Sequence, residues 1–393
     1  MQLSPTVAAI SEPATLLMAR RSRELRAEGR DIIDLSLGEP DHDPPAFALE
    51  AAHEALRGPW HKYPPVNGYL DVRQAISNKF KRDNGLEYTA DQIVVSTGAK
   101  QALMNVVMSL VGPGDEVVIP APYWVSYSEQ VRLSGGTPVL VPSTLEEDWK
   151  APIERIEAAI TPRTRLIMFS SPCNPSGSVM SRTELEAMAE VVRRHPKVYV
   201  MADEIYEHIV FEGTHLSFAS LPNMAERTIT VNGLSKAFAL TGWRLGYIGA
   251  PLWIAKAANK VQGQFTSGAN SIAQRVAKAC VEADPALLVP MRNDFLRRRD
   301  LVLNELKNIP GWRCNVPQGA FYLLPDVSAS IDGDRIKGSV DLSLYLLDAV
   351  GVSLVEGRSF GAEGTLRISY ATSDEKLTEA MARVAKGIEA LKG

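Results

Sequence analysis

Cysteine is scarce in this chain, with three in 393 residues, Cys173, Cys280 and Cys314. So few, odd in number and far apart, they exclude a disulfide framework and suit a reducing compartment. They also make no zinc-like spacing with the six histidines, so no metal site is expected. Charge of one sign is missing too: 42 lysines and arginines stand against 46 acids, a net of −4, which leaves no field to recruit nucleic acid or an anionic membrane. No apolar run approaches the ~20 residues a membrane span needs, and Met1 to Ser11 lack the basic start and apolar core of an export signal. The cytoplasm is the default expectation. Internal repeats and low-complexity segments are absent. What remains is an ordinary globular composition, 45% hydrophobic, long enough for two domains around a large core.

The stretch Thr230 to Tyr247 stands out. An apolar run, Thr228 to Val231, leads through Gly233 and Leu234 to Ser235 and then Lys236, with no acid within several positions either side. Surface lysines usually sit among other charges, whereas this one is flanked by Leu234, Ala237, Phe238 and Leu240. It is either a buried member of a distant ion pair or an amine with a chemical task. Desolvation favours the neutral amine, a nucleophile able to hold an aldehyde covalently.

Three strand ends decide between these. Thr164 to Phe169, Val198 to Ala202 and Thr228 to Val231 are short, apolar and β-rich, and the helical pattern Ser181 to His195, with Glu184 completing a capping box, separates the first two. Alternating strands and helices predict a parallel sheet with right-handed crossovers, whose ligands sit beyond the carboxyl ends of the strands. Just past those ends lie Asn174, Asp203 with Tyr206, and Ser235 with Lys236. Pyridoxal 5′-phosphate needs an amine for its aldehyde, a carboxylate for its ring nitrogen, and donors for its phenolate and phosphate. Lys236, Asp203, Tyr206 with Asn174, and Ser235 with Arg244 meet those needs in turn.

On these residues the sequence resembles the class I/II aminotransferases of fold type I. It carries Ser235-Lys236 with Gly242, Arg244 and Gly246, Asp203-Glu204-Ile205-Tyr206, and Asn174-Pro175-Ser176-Gly177 in order, and the resemblance runs over almost the whole length. It implies an α/β fold: a large domain with a mostly parallel sheet flanked by helices, plus a smaller α+β domain. The expected division is 1–45 as an N-terminal part of the small domain, 46–290 as the large cofactor-binding domain, and 291–393 as the C-terminal small domain.

Other segments gain meaning from that resemblance. Ala14 to Glu28 reads as an amphipathic helix closed by Gly29, and Ile32 to Leu37 as a strand ending in Gly38-Glu39-Pro40. Gly38 alone suits a plain turn; the resemblance implies a backbone that approaches the substrate. Tyr63, in the Tyr63-to-Gly68 loop, is otherwise a surface aromatic, but the resemblance has it reach the cofactor phosphate of a second subunit, which makes the protein a homodimer. Ile93 to Ser96, then Gly98-Ala99-Lys100, is a strand, a glycine and a helix start. That is either an ordinary corner or, with Ser235 and Arg244, a phosphate cradle of free N–H groups. Trp124 follows a strand at Asp115 to Ile119; a core indole by itself, it is implied to cover the cofactor ring. Cys173, His208 and His215 read as structural. Asp294 to Lys307 is a basic helix, and Leu377, Met381, Val384, Ile388 and Leu391 form the core stripe of a final helix. Between them a strand, Gly364 to Ala371, carries Arg367, whose fork suits a carboxylate and which the resemblance assigns to the substrate's α-carboxylate.

The implied reaction is transamination, with Lys236 as anchor and then as general base, and Asp203 keeping the ring nitrogen protonated. The nearest wording is that of the bacterial and plant aspartate aminotransferase subgroup, some members of which also transaminate prephenate. There a Thr and a Lys recognise the second carboxylate, matched here by Thr15 and Lys100. Asn174 is assigned to both cofactor and substrate. Met108 offers no charge on the helix after the cradle, so distal recognition rests on few residues. The expected partners are amino acids and 2-oxo acids: aspartate or glutamate as donor, and 2-oxoglutarate, oxaloacetate or prephenate as acceptor. Rival expectations are a C–S β-lyase on the same cofactor, a broad aromatic or alanine aminotransferase, and a non-catalytic regulatory relative.

Overall fold

The computed structural model describes residues 3–8 and 10–392, so Met1, Gln2, Ala9 and Gly393, which belong to the predicted ranges 1–45 and 291–393, lie outside the described residues. Strand β1 is Ile33–Asp34; β2 to β8 are Ile93–Ser96, Glu116–Pro120, Thr137–Val141, Thr164–Ser170, Tyr199–Asp203, Thr228–Gly233 and Gly246–Gly249. The last seven form one sheet in the order β2-β8-β7-β6-β5-β3-β4, parallel throughout except that β8 runs against both neighbours. Three of these strands, β2, β7 and β8, are buried along their whole length, and β6 along all but its first residue, as expected when helices cover both faces. The helices Ala99–Leu110 and Leu252–Phe265 pack with the sheet in one apolar cluster, and Arg182–Arg194 packs in another that includes Val200 and Ile167.

Strand order reverses between β3 and β5, because β4 lies outside β3 while β6 and β7 continue on the other side of β5. A cleft opens beyond the carboxyl ends at such a reversal. The loop after β3 carries Trp124, the loop after β5 carries Asn174, β6 ends on Asp203, and β7 leads into Lys236.

A second layer forms from the chain's two ends. Strands β9 (Tyr322–Leu323), β10 (Val352–Ser353), β11 (Val355–Glu356) and β12 (Leu366–Ser369) make a three-stranded antiparallel sheet, β11-β12-β9, and a parallel pair of β1 with β10. These pack with Val289–Leu306, Ser339–Val350 and Asp374–Lys392, and the final helix buries Leu377, Met381, Val384 and Ile388 as its stripe predicts. Tyr206 and Ile205 belong to this same cluster, so the Asp203-to-Tyr206 turn is clamped between the layers.

Three predicted elements differ clearly in extent, the strand expected over Gly364 to Ala371 being confined to Leu366–Ser369. The strand expected over Ile32 to Leu37 is a ladder only at Ile33–Asp34; the Leu35 backbone still bonds Ser353 and Ser369, and at Ser36 the Asp34 carboxylate takes the N–H and hydroxyl and turns the chain. The helix expected from Asp294 starts at Val289, where Pro290 sits in the first turn and needs no donor. The capping box at Ser181 and Glu184 forms as predicted.

Candidate active site

A cavity of about 250 Å³ opens at the strand reversal. Thr15, Gly38, Ala99, Lys100, Trp124, Asn174, Asp203, Tyr206, Ser235, Lys236, Arg244 and Arg367 all line it, so the structure gathers sequence-predicted residues from every part of the chain. Gly98 lies just behind, against Arg244. Tyr63 does not join them: its side chain is 96% exposed on the outside of this single chain.

Lys236 is partly buried and donates to the Gly38 carbonyl at 2.5 Å. Lost hydration is the main reason its pKa falls to about 8, with Arg367 and Arg244 adding repulsion. Asp203, at 5% exposure, is the one acid among the lining residues. Its Oδ1 accepts from the Ile205 N–H at 3.2 Å and its Oδ2 from the Tyr127 hydroxyl at 2.7 Å. Burial raises its pKa to about 6 even with those donors.

Arg367 is among the largest fully buried side chains. One Nη donates to Asn174 Oδ1 at 3.0 Å and the other to the Ser36 carbonyl at 2.6 Å, while Nε has no partner. Its guanidinium lies 4.6 Å from the Tyr322 ring centroid and 5.1 Å from that of Phe360. A buried guanidinium with a spare donor and no salt bridge among the described residues is suited to a carboxylate.

At the other end, Gly98 has φ +80° and caps the helix Ala99–Leu110, whose first N–H groups have no intrahelical partner. A Cβ on Gly98 would sit 2.6 Å from the Arg244 guanidinium. Arg244, itself left-handed at φ 51°, gives one Nη to the Thr241 carbonyl at 2.9 Å. Lys100 stands at the open side with its ammonium 4.9 Å from the Trp124 ring, its pKa lowered by partial desolvation and by Arg244. Lys100, Lys236, Arg244 and Arg367 form no salt bridge among the described residues, although the chain as a whole is acidic. This donor set fits pyridoxal 5′-phosphate: a helix N-terminus and guanidinium suited to phosphate, an amine of depressed basicity, and a buried carboxylate.

Two tyrosines of the lining escaped the sequence reading, as did Leu103, Ser170, Ile205 and Thr241. Tyr322 lines the cavity with its hydroxyl 2.8 Å from that of Tyr206, and Tyr127 lines it through the bond to Asp203. Tyr127 had a legible signal, three residues after Trp124 at a helix start and so on the same side. Tyr322 is placed by its pairing with Ser369 on β12, a register with no local mark. The residues read as structural lie outside the cavity lining. Cys173 is buried with its thiol on the Pro122 carbonyl, His215 lies 3.0 Å from Glu204, and His208 3.2 Å from Glu207.

The model of the aminotransferase class I and II family matches residues 30–384. The bifunctional aspartate aminotransferase and glutamate/aspartate-prephenate aminotransferase of Petunia hybrida is 45% identical over all of this chain and 84% of its own length. Aspartate aminotransferase from Rhizobium meliloti superposes with a TM-score of 0.95 at 41% identity, covering 99% of each chain. The Thermus thermophilus aspartate aminotransferase solved with maleate superposes at 0.93, also 41% identical, over 98% of this chain and all of that one.

Proposed function

The chain belongs to the class I and II aminotransferases, and from that premise we propose that it transfers the amino group of aspartate or glutamate to 2-oxoglutarate, oxaloacetate or prephenate. The observation that carries this is the set of four cations without acid partners around one buried carboxylate, Asp203. Such a cavity is complementary to an anionic cofactor together with a substrate carrying two carboxylates. The bifunctional Petunia relative and the maleate-bound Thermus relative support the same choice of substrate.

Pyridoxal 5′-phosphate, the cofactor of this enzyme class, supplies when bound an electron sink for the bond to the substrate's α-carbon. Lys236 would hold its aldehyde carbon. Asp203 would face the ring nitrogen, Tyr206 and Asn174 the phenolate, and Trp124 the ring. Ser235, Arg244 and the N–H groups at Gly98, Ala99 and Lys100 would take the phosphate. Arg367 then orients the amino acid through its α-carboxylate, and Lys100 with Thr15 meets the distal one. The Lys236 amine, its pKa lowered to about 8 by burial and its Nζ beside the Gly38 carbonyl in the free chain, would take the α-proton and return it. Tyr63, fully outside its own subunit's cavity, is suited to complete the phosphate site of a second copy, so the working form is a homodimer in the cytoplasm. The division at about residues 45 and 290 into large and small domains belongs to this proposal.

The test is an assay of donor and acceptor pairs. Aspartate, glutamate, tyrosine and alanine are compared against 2-oxoglutarate, oxaloacetate and prephenate, and aspartate with 2-oxoglutarate is expected to exceed tyrosine or alanine by at least tenfold in kcat/KM. Pyruvate and thiol released from cystathionine without any 2-oxo acid, at a rate above transamination, would overturn it in favour of the lyase.

A further inference from the structure

We infer that Tyr127 is a positioning residue for the reaction, its hydroxyl holding the Asp203 carboxylate in place as an anion facing the ring nitrogen of the cofactor. The inference rests on the proposed site and adds a residue to it.

Asp203 ends β6 at only 5% exposure, with little contact with water to keep it charged. A carboxylate in such a place reverts to the neutral acid unless donors compensate it, and a neutral acid gives a protonated ring nitrogen nothing to pair with. Two donors reach it. One is the Ile205 N–H, fixed by the turn two residues on and long at 3.2 Å. The other is the Tyr127 hydroxyl, shorter at 2.7 Å and brought from 76 residues away. Burial pushes the phenol well above its ordinary pKa, so it remains a donor at every working pH.

The Tyr127 hydroxyl is committed to Asp203 as a donor, and the buried Ser170 hydroxyl beside it gives nothing to the carboxylate. The ring is immobilised: it is fully buried and meets Trp124 edge-on at 5.6 Å and 84°. Trp124 and Tyr127 both line the cavity. One four-residue segment entering the helix Ser126–Leu133 therefore supplies the indole for the face of the cofactor ring and the donor behind the carboxylate for its edge. The two contacts are held in register by a single turn of backbone.

The test reads the Asp203 carboxyl directly and the cofactor separately. With ¹³C-labelled aspartate, the Asp203 resonance, assigned by its loss in Asp203→Asn, is titrated in cofactor-free parent and in Tyr127→Phe. Removal of the hydroxyl is expected to raise the carboxyl pKa by about one unit or more, the size expected for a lost hydrogen bond to a charged group. On the full enzyme, Tyr127→Phe is expected to weaken pyridoxal 5′-phosphate binding about tenfold and to lower kcat with little change in KM. In the Asp203→Asn background the same change is expected to add no further loss of affinity. Incorporation of 3-fluorotyrosine at position 127, a stronger donor of nearly the same shape, is expected to lower the Asp203 pKa, and this arm decides the matter if the Phe variant does not fold. An unmoved Asp203 titration, or losses that multiply in the double variant, would overturn the inference. Should Asp203→Asn itself bind the cofactor as tightly as the parent, the proposed site fails as a whole; an effect of Asp203→Asn with none of Tyr127→Phe removes Tyr127 alone.

Discussion

Lys236 gives its ammonium to the main-chain carbonyl of Gly38, a residue 198 positions earlier and on the opposite layer of the fold. This contact joins Lys236 to the segment carrying the Gly38-Glu39-Pro40 turn. A carbonyl in that place accepts from the protonated amine, yet it does not offset the hydration lost on burial. The amine's pKa accordingly falls to about 8 from 10.5. Between those values the unfolded chain binds the extra proton, so the cofactor-free protein gains stability as pH rises from 8 towards 10.5, by roughly 3 kcal/mol in all. Lys236→Met is expected to abolish this gain and to be more stable than the parent at pH 7. Urea unfolding of the two at pH 7 and 10 measures both, while transamination falls by about 10⁴-fold and borohydride no longer traps a pyridoxyl group on the chain.

Arg367 is a case where charge and geometry separate. Lysine at that position keeps a cation but loses the fork that donates to Asn174 and Ser36 and still has a free Nε. Arg367→Lys is expected to raise KM for every amino-acid donor by roughly 100-fold, the scale of two charge-assisted hydrogen bonds. Because the substrate's α-carboxylate is common to all donors, the penalty is equal for aspartate and alanine. Steady-state kinetics with both donors checks this; a loss confined to aspartate would move Arg367 to the distal carboxylate.

Gly98 tests the phosphate end. Its φ of +80° strains any side chain, and a Cβ there would lie 2.6 Å from the Arg244 guanidinium. Gly98→Ala is therefore expected to displace Arg244 and to cost about 1 kcal/mol or more in backbone strain. The cofactor should dissociate at least tenfold more readily, measured by equilibrium dialysis of pyridoxal 5′-phosphate. Pyridoxal lacking the phosphate should bind the variant and the parent alike.

Much of this site was legible because one rule of α/β topology turns scattered motifs into neighbours. Asn174, Asp203 and Lys236 each follow an apolar strand, and parallel strands present their carboxyl ends to a common cleft. The rest depends on register and distance. Tyr322 reaches Tyr206 because β9 pairs with β12 at Ser369, and no local pattern encodes that offset. Tyr127 sits in a stretch whose aromatic residues all suit a core, and only its partner, 76 residues on, separates it from Tyr123, which bonds to Ser128 instead. The strand at Ile33 was read too long for a similar reason: a side chain, Asp34, ends it by competing for Ser36, and hydrophobic alternation is blind to that.

Lys100 and Thr15 are the residues proposed to decide between dicarboxylic and other donors. Both line the cavity, Thr15 from the helix Ala14–Ala27 and Lys100 from the first turn of Ala99–Leu110, and Lys100 has no acid partner to satisfy it. Its ammonium rests 4.9 Å from the Trp124 ring centroid, a cation–π contact that holds it at the open side, where a substrate's second carboxylate would arrive. Lys100→Met keeps the length of the side chain and removes the charge. Its kcat/KM for aspartate and glutamate is expected to fall by about tenfold or more, the worth of one partly solvated charged hydrogen bond, while that for alanine and tyrosine stays within about twofold. Thr15→Val should move in the same direction by a smaller factor, since a neutral donor is lost in place of a charged one. The ratio of aspartate to alanine kcat/KM in the two variants and the parent is the measurement. An equal fall for all donors would show that Lys100 serves the phosphate end alone, leaving the distal carboxylate to residues from elsewhere in the assembly.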